Sequence, residues 1–397
     1  MKIIAVHLLN DFSGSPRVLS QLVRGWVRNG LCVTVACSKG PGLLSSIAGA
    51  RYAKFHYQWH SNRVMRLISL LISQWRLFRL TWKIARKEDI VYINTVLPFG
   101  AAIAAKMKGC RVVYHLHETS VRPAVLKSLL FGIMKWAAND VVYVSEYLAA
   151  AEPVANVRTH LLPNAIEQEF LDRAIQNRKK KTKPVRVLMV CSLKAYKGVD
   201  EFLALAALHP GLRFQLVLNA EQHELDVYFR TKLLPANLEL VPVQHDLHRF
   251  YAQADIIVNL SRPDEWIETF GLTILEGMAY GLPALIPPVG GITELVEHGR
   301  SGYWTNSRNL SHVSEKLSSL TKPEVYQQMA ETAAGLASGY SESAFVQKSL
   351  AIILKPGLDK HSKKWKSYQK NRQNELEFND FKLGTTIVNT GHETVKS

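Results

Sequence analysis

Apolar residues along this chain fall into short, near-continuous runs rich in β-branched side chains. Longer stretches, in which apolar positions recur at helical spacing, separate them. In the first half the runs are "KIIAVHLL", "CVTVACS", "DIVYINTV", "RVVYHLHE" and "DVVYVSE"; in the second they are "RVLMVCS", "RFQLVLN", "LELVPV", "DIIVNLS" and "LPALIPP". A strand with one face in water alternates apolar and polar residues, whereas a strand covered on both faces does not. These runs therefore predict parallel sheets sandwiched between helices. The stretch from Pro16 to Asn29 illustrates the helices, with Ser15 as the expected N-cap, Pro16 in the first turn and Gly30 at the exit. Regular alternation of strand and helix predicts a doubly wound α/β architecture.

The pattern breaks at "QNRKKKTKPVRV", which holds no apolar residue before Pro184, and then restarts. With 397 residues, 47% of them hydrophobic, the chain is long enough for two domains, each with its own core. The expected divisions are a first Rossmann-like domain over 1–175, a basic linker over 176–186 and a second Rossmann-like domain over 187–340. A final helix within 341–357, from Glu342 to Leu354, could return to the first domain, and 358–397 reads as a polar, weakly ordered tail. Ligands of such folds sit beyond the carboxyl ends of the strands, here in a cleft between the domains.

Charge adds an asymmetry to this plan. The formal net charge is +16. Residues 1–175 hold 22 Lys/Arg against 10 Asp/Glu, a net +12, while 187–357 hold 13 against 18, a net −5. Between Phe12 and Lys87 stand 13 basic residues and no acidic one. Such a half suits a polyanionic partner: a membrane surface, a nucleic acid or a phosphorylated substrate. Within it, "NRVMRLISLLISQWRLFRLTWKIARK" carries an apolar stripe at Val64, Ile68, Leu71, Trp75, Phe78 and Trp82, with Arg76, Arg79, Lys83 and Arg86 along another face. This is either a helix covering the sheet with its charged side solvated, or a basic amphipathic surface for an anionic membrane. No apolar run reaches the length of a membrane span, and "MKIIAVHLLND" reads as a first strand and not a signal peptide. Cys32, Cys37, Cys110 and Cys191 are scattered without a CxxC pair, so neither a disulfide framework nor a zinc site is expected. No nucleic-acid motif or ladder of aromatic and basic residues accompanies the charge.

Candidate chemistry concentrates in "ETFGLTILEGMAYGLP", Glu268 to Pro283. Thr269, Phe270 and Gly271 read as a turn and Leu272 to Tyr280 as a short apolar helix. The unpartnered N–H groups and positive dipole end of that helix make a ready anion site, suited to a diphosphate. Alone, Glu276 could be a solvated helix residue and Glu268 a cap. Set on either side of an anion site, the pair suits a nucleotide-sugar, with Glu276 accepting from a ribose diol and Glu268 facing a hexose. "VLMVCSLKAYKGVDEFL" places Lys197-Gly198 at a strand–loop–helix junction, where the lysine can clamp a diphosphate or stand solvated. "PPVGGITELVEHGRSGY" gives a Gly290-Gly291 turn before a helix with Glu294 in its first turn. His115, His117 and Glu118 end a strand, where lining a cleft is favoured over holding a metal.

Lys197-Gly198, Glu268-Thr269-Phe270-Gly271-Leu272 with Glu276, Gly281-Leu282-Pro283, Gly290-Gly291 with Glu294, and Gly299 with Gly302 together resemble the retaining GT-B glycosyltransferases of family 4 (glycosyl transferases group 1). The strong part covers 185–305; the first domain is similar through Gly14, His117-Glu118 and Pro163-Asn164. The resemblance implies two Rossmann-like domains facing across a cleft, the first on the acceptor side and the second binding the donor. It implies that Lys197 neutralises the leaving diphosphate and Glu276 binds ribose. Glu268, with the backbone N–H groups of Phe270 and Gly271, would hold the donor sugar, while Gly14 lets the first loop approach the phosphates and His117 borders the sugar. Thr269 and Leu272 belong to the same donor segment. No cofactor or metal is expected, and no D-x-D occurs. Two positions depart from the family pattern: Ser192 stands where an arginine is usual, with Lys194 a candidate replacement, and Ser13-Gly14-Ser15-Pro16 has one glycine where two are common. The implied activity is metal-independent, retaining transfer from a nucleoside-diphosphate sugar to a glycan or lipid-diphosphate-linked acceptor, in bacterial O-antigen or capsule assembly. The implied location is cytoplasmic and peripheral on the inner membrane face, with no nucleic acid as partner. Other readings are a catalytically silent nucleotide-sugar-binding module, a basic nucleic-acid-binding protein, or, against the E-x7-E pattern, a sugar-nucleotide epimerase.

Overall fold

A computed structural model describes residues 1–178 and 184–354. The middle of the expected linker, 179–183, and the expected tail lie outside the described residues. The first half runs β1 (Ile3–Val6), α1 (Gly14–Arg28), β2 (Val33–Ser38), β3 (Arg51–Phe55), α2 (Arg63–Ile84), β4 (Ile90–Asn94), α3 (Phe99–Met107), β5 (Arg111–Leu116), α4 (Ala124–Ala137), β6 (Asp140–Tyr143), α5 (Glu146–Ala151), β7 (Arg158–Leu161) and α6 (Gln168–Asn177). The second runs β8 (Arg186–Cys191), α7 (Val199–Leu208), β9 (Arg213–Leu218), α8 (Gln222–Phe229), β10 (Leu238–Val241), α9 (His248–Gln253), β11 (Ile256–Val258), α10 (Leu272–Ala279), β12 (Ala284–Ile286), β13 (Gly302–Trp304), α11 (Leu310–Leu320), α12 (Pro323–Ser338) and α13 (Glu342–Leu354).

The strands form two parallel sheets in the orders β3-β2-β1-β4-β5-β6-β7 and β10-β9-β8-β11-β12-β13. In each, the chain steps outward from its first strand and then returns to that strand's other side, β4 beside β1 and β11 beside β8. The order reverses there, leaving a crevice at the carboxyl ends of those strands. Central strands are buried along their whole length, as the apolar runs require: Ile3 to Val6 and Ile90 to Ile93 are covered. The edge strands β3 and β7 are largely exposed or half-buried. Their sequences "RYAKF" and "RTHL" carry no apolar run, which is why the hydropathy pattern passes over them.

Both sheets belong to one unit, Met1–Ser349; a second begins at Leu350. Within the first unit α13 lies on α1, where Trp26 donates to the Ser349 hydroxyl at 3.0 Å. Two expectations need correction. Helix α1 starts at Gly14 with Ser13 at the N-cap, so Ser15 is inside the helix and not its cap. On α2 the buried face is Leu70, Ser73, Gln74, Leu77 and Thr81, while Val64, Ile68, Leu71, Trp75 and Trp82 of the expected stripe point to solvent. The stripe therefore does not cover the sheet; Leu70 and Leu77 do, with the polar Ser73, Gln74 and Thr81 beside them, where α3 packs closely and Gly100 admits the Gln74 carbonyl.

Candidate active site

The crevices of the two sheets meet in a cleft of about 590 Å³. From the first half it is lined by the loop after β1, with Phe12, Gly14 and Arg17, and by His117 and Glu118 after β5. From the second half come Ser192, Lys197, Asn259, Trp266, Gln244, His245 and the segment from Glu268 to Thr273 with Glu276. Gly14, Ser192, Lys197, Glu268, Thr269, Phe270, Gly271, Leu272, Glu276 and His117 are thus brought together. Lys194, the candidate replacement for the arginine absent at Ser192, is not among them: it is exposed and does not line the cleft.

The Glu268 segment is shaped by its glycines. Gly271 has φ +111°, and a Cβ there would fall 2.7 Å from Ile292. Its backbone opens α10 in a form that a side chain resists. Gly290 and Gly291 pass beneath the same segment, where added Cβ atoms would fall 2.4 Å from the Glu268 carbonyl oxygen and 2.0 Å from that of Thr269. Gly291–Glu294 is a single 3-10 turn. Glu294 does not serve a helix of its own, as the sequence suggested. Its carboxylate accepts from the backbone N–H groups of Glu146 and Tyr147, at 3.1 and 2.8 Å, and so caps α5 in the other half.

Lys197 closes a 3-10 turn after β8, before Gly198 at φ +80°. Its Nζ lies 2.6 Å from Glu268 Oε1 and 4.8 Å from the centre of the Trp266 ring. Ser261 Oγ and Asn259 Nδ2 also donate to Glu268, at 2.7 and 3.3 Å. Lysine and glutamate therefore face each other directly. Burial pushes the Glu268 carboxyl up, but the Lys197 charge and these hydrogen bonds outweigh it and hold the group below its ordinary range. At the other end, Glu276 is 5% exposed, which excludes the solvated reading. Arg17 Nη1 donates to its Oε1 at 2.6 Å, and the Tyr251 hydroxyl to its Oε2 at 2.7 Å. The Glu276 charge raises the Arg17 pKa. Each carboxylate oxygen keeps further lone pairs for a diol.

On the first half's wall, Asn94 organises the histidines. Its Nδ2 donates to the Ser15 carbonyl at 3.0 Å, which fixes the amide, and its Oδ1 lies 2.9 Å from His117 Nε2. His117 is therefore protonated on Nε2 and carries its lone pair on Nδ1. Burial, with the neighbouring His115 and His7, holds it neutral, well below its ordinary pKa. The His117 carbonyl accepts from Thr269 Oγ1 at 2.6 Å across the cleft. His115 Nδ1 meets the Tyr92 hydroxyl at 3.0 Å, inside the core. Burial pushes the Glu118 carboxyl up to about 7. Arg17, Tyr251, Asn259, Ser261, Trp266 and Asn94 were not singled out from the sequence. Asn94, Asn259 and Ser261 lie at or just past strand carboxyl ends, and Arg17 is the first charge after the Gly14 loop; those positions were the available signal.

The family described as glycosyl transferases group 1 matches residues 172–335, and glycosyltransferase family 4 matches residues 12–170. The chain belongs to glycosyltransferase family 4. It is 25% identical over 281 residues to the N-acetyl-alpha-D-glucosaminyl L-malate synthase of Bacillus anthracis, covering 63% of this chain and 71% of that protein. It is 27% identical over 197 residues to the N,N'-diacetylbacillosaminyl-diphospho-undecaprenol alpha-1,3-N-acetylgalactosaminyltransferase of Campylobacter jejuni, covering 48% of this chain and 50% of that one. The Anabaena protein HepE, solved in complex with UDP and glucose, superposes with a TM-score of 0.69 at 18% identity, over 89% of this chain and all of its own. The fold is GT-B, and the family 4 protein is a glycosyltransferase.

Proposed function

We propose that this glycosyltransferase moves a sugar from a nucleoside diphosphate to a glycan or lipid-diphosphate-linked glycan, with retention of configuration and without a metal ion, in bacterial surface polysaccharide assembly. It would work at the inner face of the cytoplasmic membrane. The observation that carries the reading is one cleft lined by Glu276, the Gly271 helix start and the Lys197–Glu268 pair. Ribose would lie against Glu276, the diphosphate on the N–H groups that open α10, and the sugar between Glu268 and His117. Lys197 has a carboxylate partner at rest, so its charge reaches the leaving diphosphate best as that group gains negative charge in the transition state. The acceptor hydroxyl would attack on the leaving-group face and pass its proton to the departing phosphate oxygen, so no side-chain base is needed. A lipid-linked acceptor agrees with the Campylobacter relative's name and with the basic first half.

The test begins with thermal unfolding of the purified chain against UDP-, GDP-, ADP- and dTDP-sugars, since a ligand of the native state raises apparent stability. Calorimetry on Glu276→Gln should then show nucleotide affinity reduced by about 1.5–3 kcal/mol, the range for hydrogen bonds to a charged group. Glu268→Gln should retain nucleotide affinity and lose transfer. Equal loss of nucleotide binding in both variants would contradict this division of roles.

A further inference from the structure

We propose that the outward face of α2, together with the start of α4 beyond the intervening α3, is an in-plane docking surface for an anionic bilayer. It holds the mouth of the cleft at the lipid–water boundary, so that an acceptor carried on a lipid enters from within the leaflet. The inference rests on the transferase reading above and adds the surface and the route.

Helix α2 shows water the wrong face for a solvated helix. Val64 is 66% exposed, Leu71 51% and Trp75 59%, and Met65, Leu67, Ile68 and Ile72 share the exposure. Single exposed apolar residues are ordinary, but a contiguous set marks an interaction surface. The charge beside it selects the occupant. Arg76, Arg79 and Lys83 are exposed on the same helix, and Arg79 lies 4.8 Å from the centre of the Trp75 ring. No acidic residue occurs from 12 to 87 to balance them. Apolar residues and tryptophans interleaved with cations alone match an interface of acyl chains and anionic headgroups. No helix among the described residues is long and apolar enough to cross a membrane, so contact would be in the plane.

Topology sets the orientation. Gly14 follows β1 and His117 follows β5, and both line the cleft, so the carboxyl ends of the first sheet's strands face it. Helix α2 follows β3 and α4 follows β5, so each starts at that edge. Val64, Met65 and Ile68 in the first turns of α2, with Val125 (81% exposed) and Leu129 in those of α4, therefore lie at the cleft side. A bilayer on this face would reach the cleft mouth.

The experiment uses the full chain with vesicles of phosphatidylcholine alone and of phosphatidylcholine mixed with phosphatidylglycerol. The wild type should co-sediment with the mixed vesicles at low salt, release as salt rises and blue-shift its tryptophan emission on binding. Replacing Arg76, Arg79 and Lys83 by glutamine should weaken partitioning on the order of a hundredfold, each charge near the surface contributing roughly a factor of five. Leu71→Ser with Trp75→Ser should bind weakly and lose the emission shift. Both variants should keep nucleotide-sugar stabilisation and transfer to a water-soluble acceptor, because neither touches the cleft. Wild type indifferent to phosphatidylglycerol, variants that partition like wild type, or a dimer in light scattering that Trp75→Ser dissolves would each overturn the proposal. Vesicle binding without any response to nucleotide-sugars would instead sink the transferase reading and leave the surface standing.

Discussion

Lys197 and Glu268 are each about one-seventh exposed and bonded at 2.6 Å, so neither can be removed alone without consequence. Lys197→Ala leaves a buried carboxylate with only Ser261 and Asn259 as partners. It should lose about 3 kcal/mol of stability as well as activity, the lower end of the cost of stripping one member from such a pair. The sign with pH identifies the cause. In the wild type Glu268 sits below its ordinary pKa, so the pair's contribution is present above the unfolded value and fades as pH falls through the folded one. In the variant desolvation dominates and the folded pKa rises above the unfolded one, so the deficit should shrink on acidification. Urea unfolding of Lys197→Ala and of Lys197→Ala with Glu268→Gln checks this: the double variant should regain most of the stability and stay inactive. A deficit that persists in the double variant would mean that Lys197 supports the fold by some other contact. The identities of both residues were legible in the sequence through their motifs, but their mutual contact was not. Motif spacing places residues along the chain, whereas the contact depends on how the turn after β8 meets the loop after β11.

At the level of elements, helix starts carry the design. Helix α10 begins at a glycine whose φ of +111° and crowding by Ile292 leave no room for a methyl group. Gly271→Ala should therefore cost at least about 2 kcal/mol in urea unfolding and weaken nucleotide binding, since strain and clash act on the turn that forms the anion site. Helix α5 begins on the carboxylate of Glu294, 147 and 148 positions away. Glu294→Ala should cost about 1–2 kcal/mol, within the range for losing a helix N-terminal acceptor; a neutral result would show that water replaces the cap. The central strands could be read from the chain because burial on both faces writes itself as a continuous apolar run, and α13 because its buried Phe345, Val346 and Ser349 recur at helical spacing between exposed polar positions. Strands β3 and β7 could not, since an edge strand with polar side chains looks like a loop. The inward face of α2 was hidden for a related reason. Of its buried positions only Leu70 and Leu77 are apolar, while Ser73, Gln74 and Thr81 are polar, so the stronger apolar periodicity points outward and misleads.

Across the whole molecule, buried titratable groups are distributed unequally. His7 is held down at about 4 and His115 at about 3, and His117 well below the usual value, all by burial in the first half. Each binds a proton more readily when unfolded, so its contribution to stability is full above about pH 6.5 and is lost on acidification, at up to about 1.4 kcal/mol per pH unit. Glu118, pushed up to about 7, has the opposite sign and offsets one of them. The net expectation is a loss approaching about 3 kcal/mol per pH unit between roughly pH 6 and pH 5. Unfolding curves across that range test it, and His115→Gln should flatten the slope by about a third to a half. A flat stability profile would show that these histidines are not neutral and buried in solution.

The Arg17–Glu276 contact joins residues 259 positions apart, one from each half of the molecule. If ribose hydroxyls share that carboxylate, nucleotide binding and the gap between the halves are two readouts of one equilibrium. Reciprocity then requires that whatever factor Arg17 contributes to closure also multiplies affinity for the nucleotide, although Arg17 need never touch it. The effect would be felt after the chemistry. If a spent nucleoside diphosphate leaves fastest when the halves part, the ion pair acts as a brake on product departure. Loosening it, as in Arg17→Ala, should quicken release while weakening capture, which trades performance at scarce donor for speed at saturating donor.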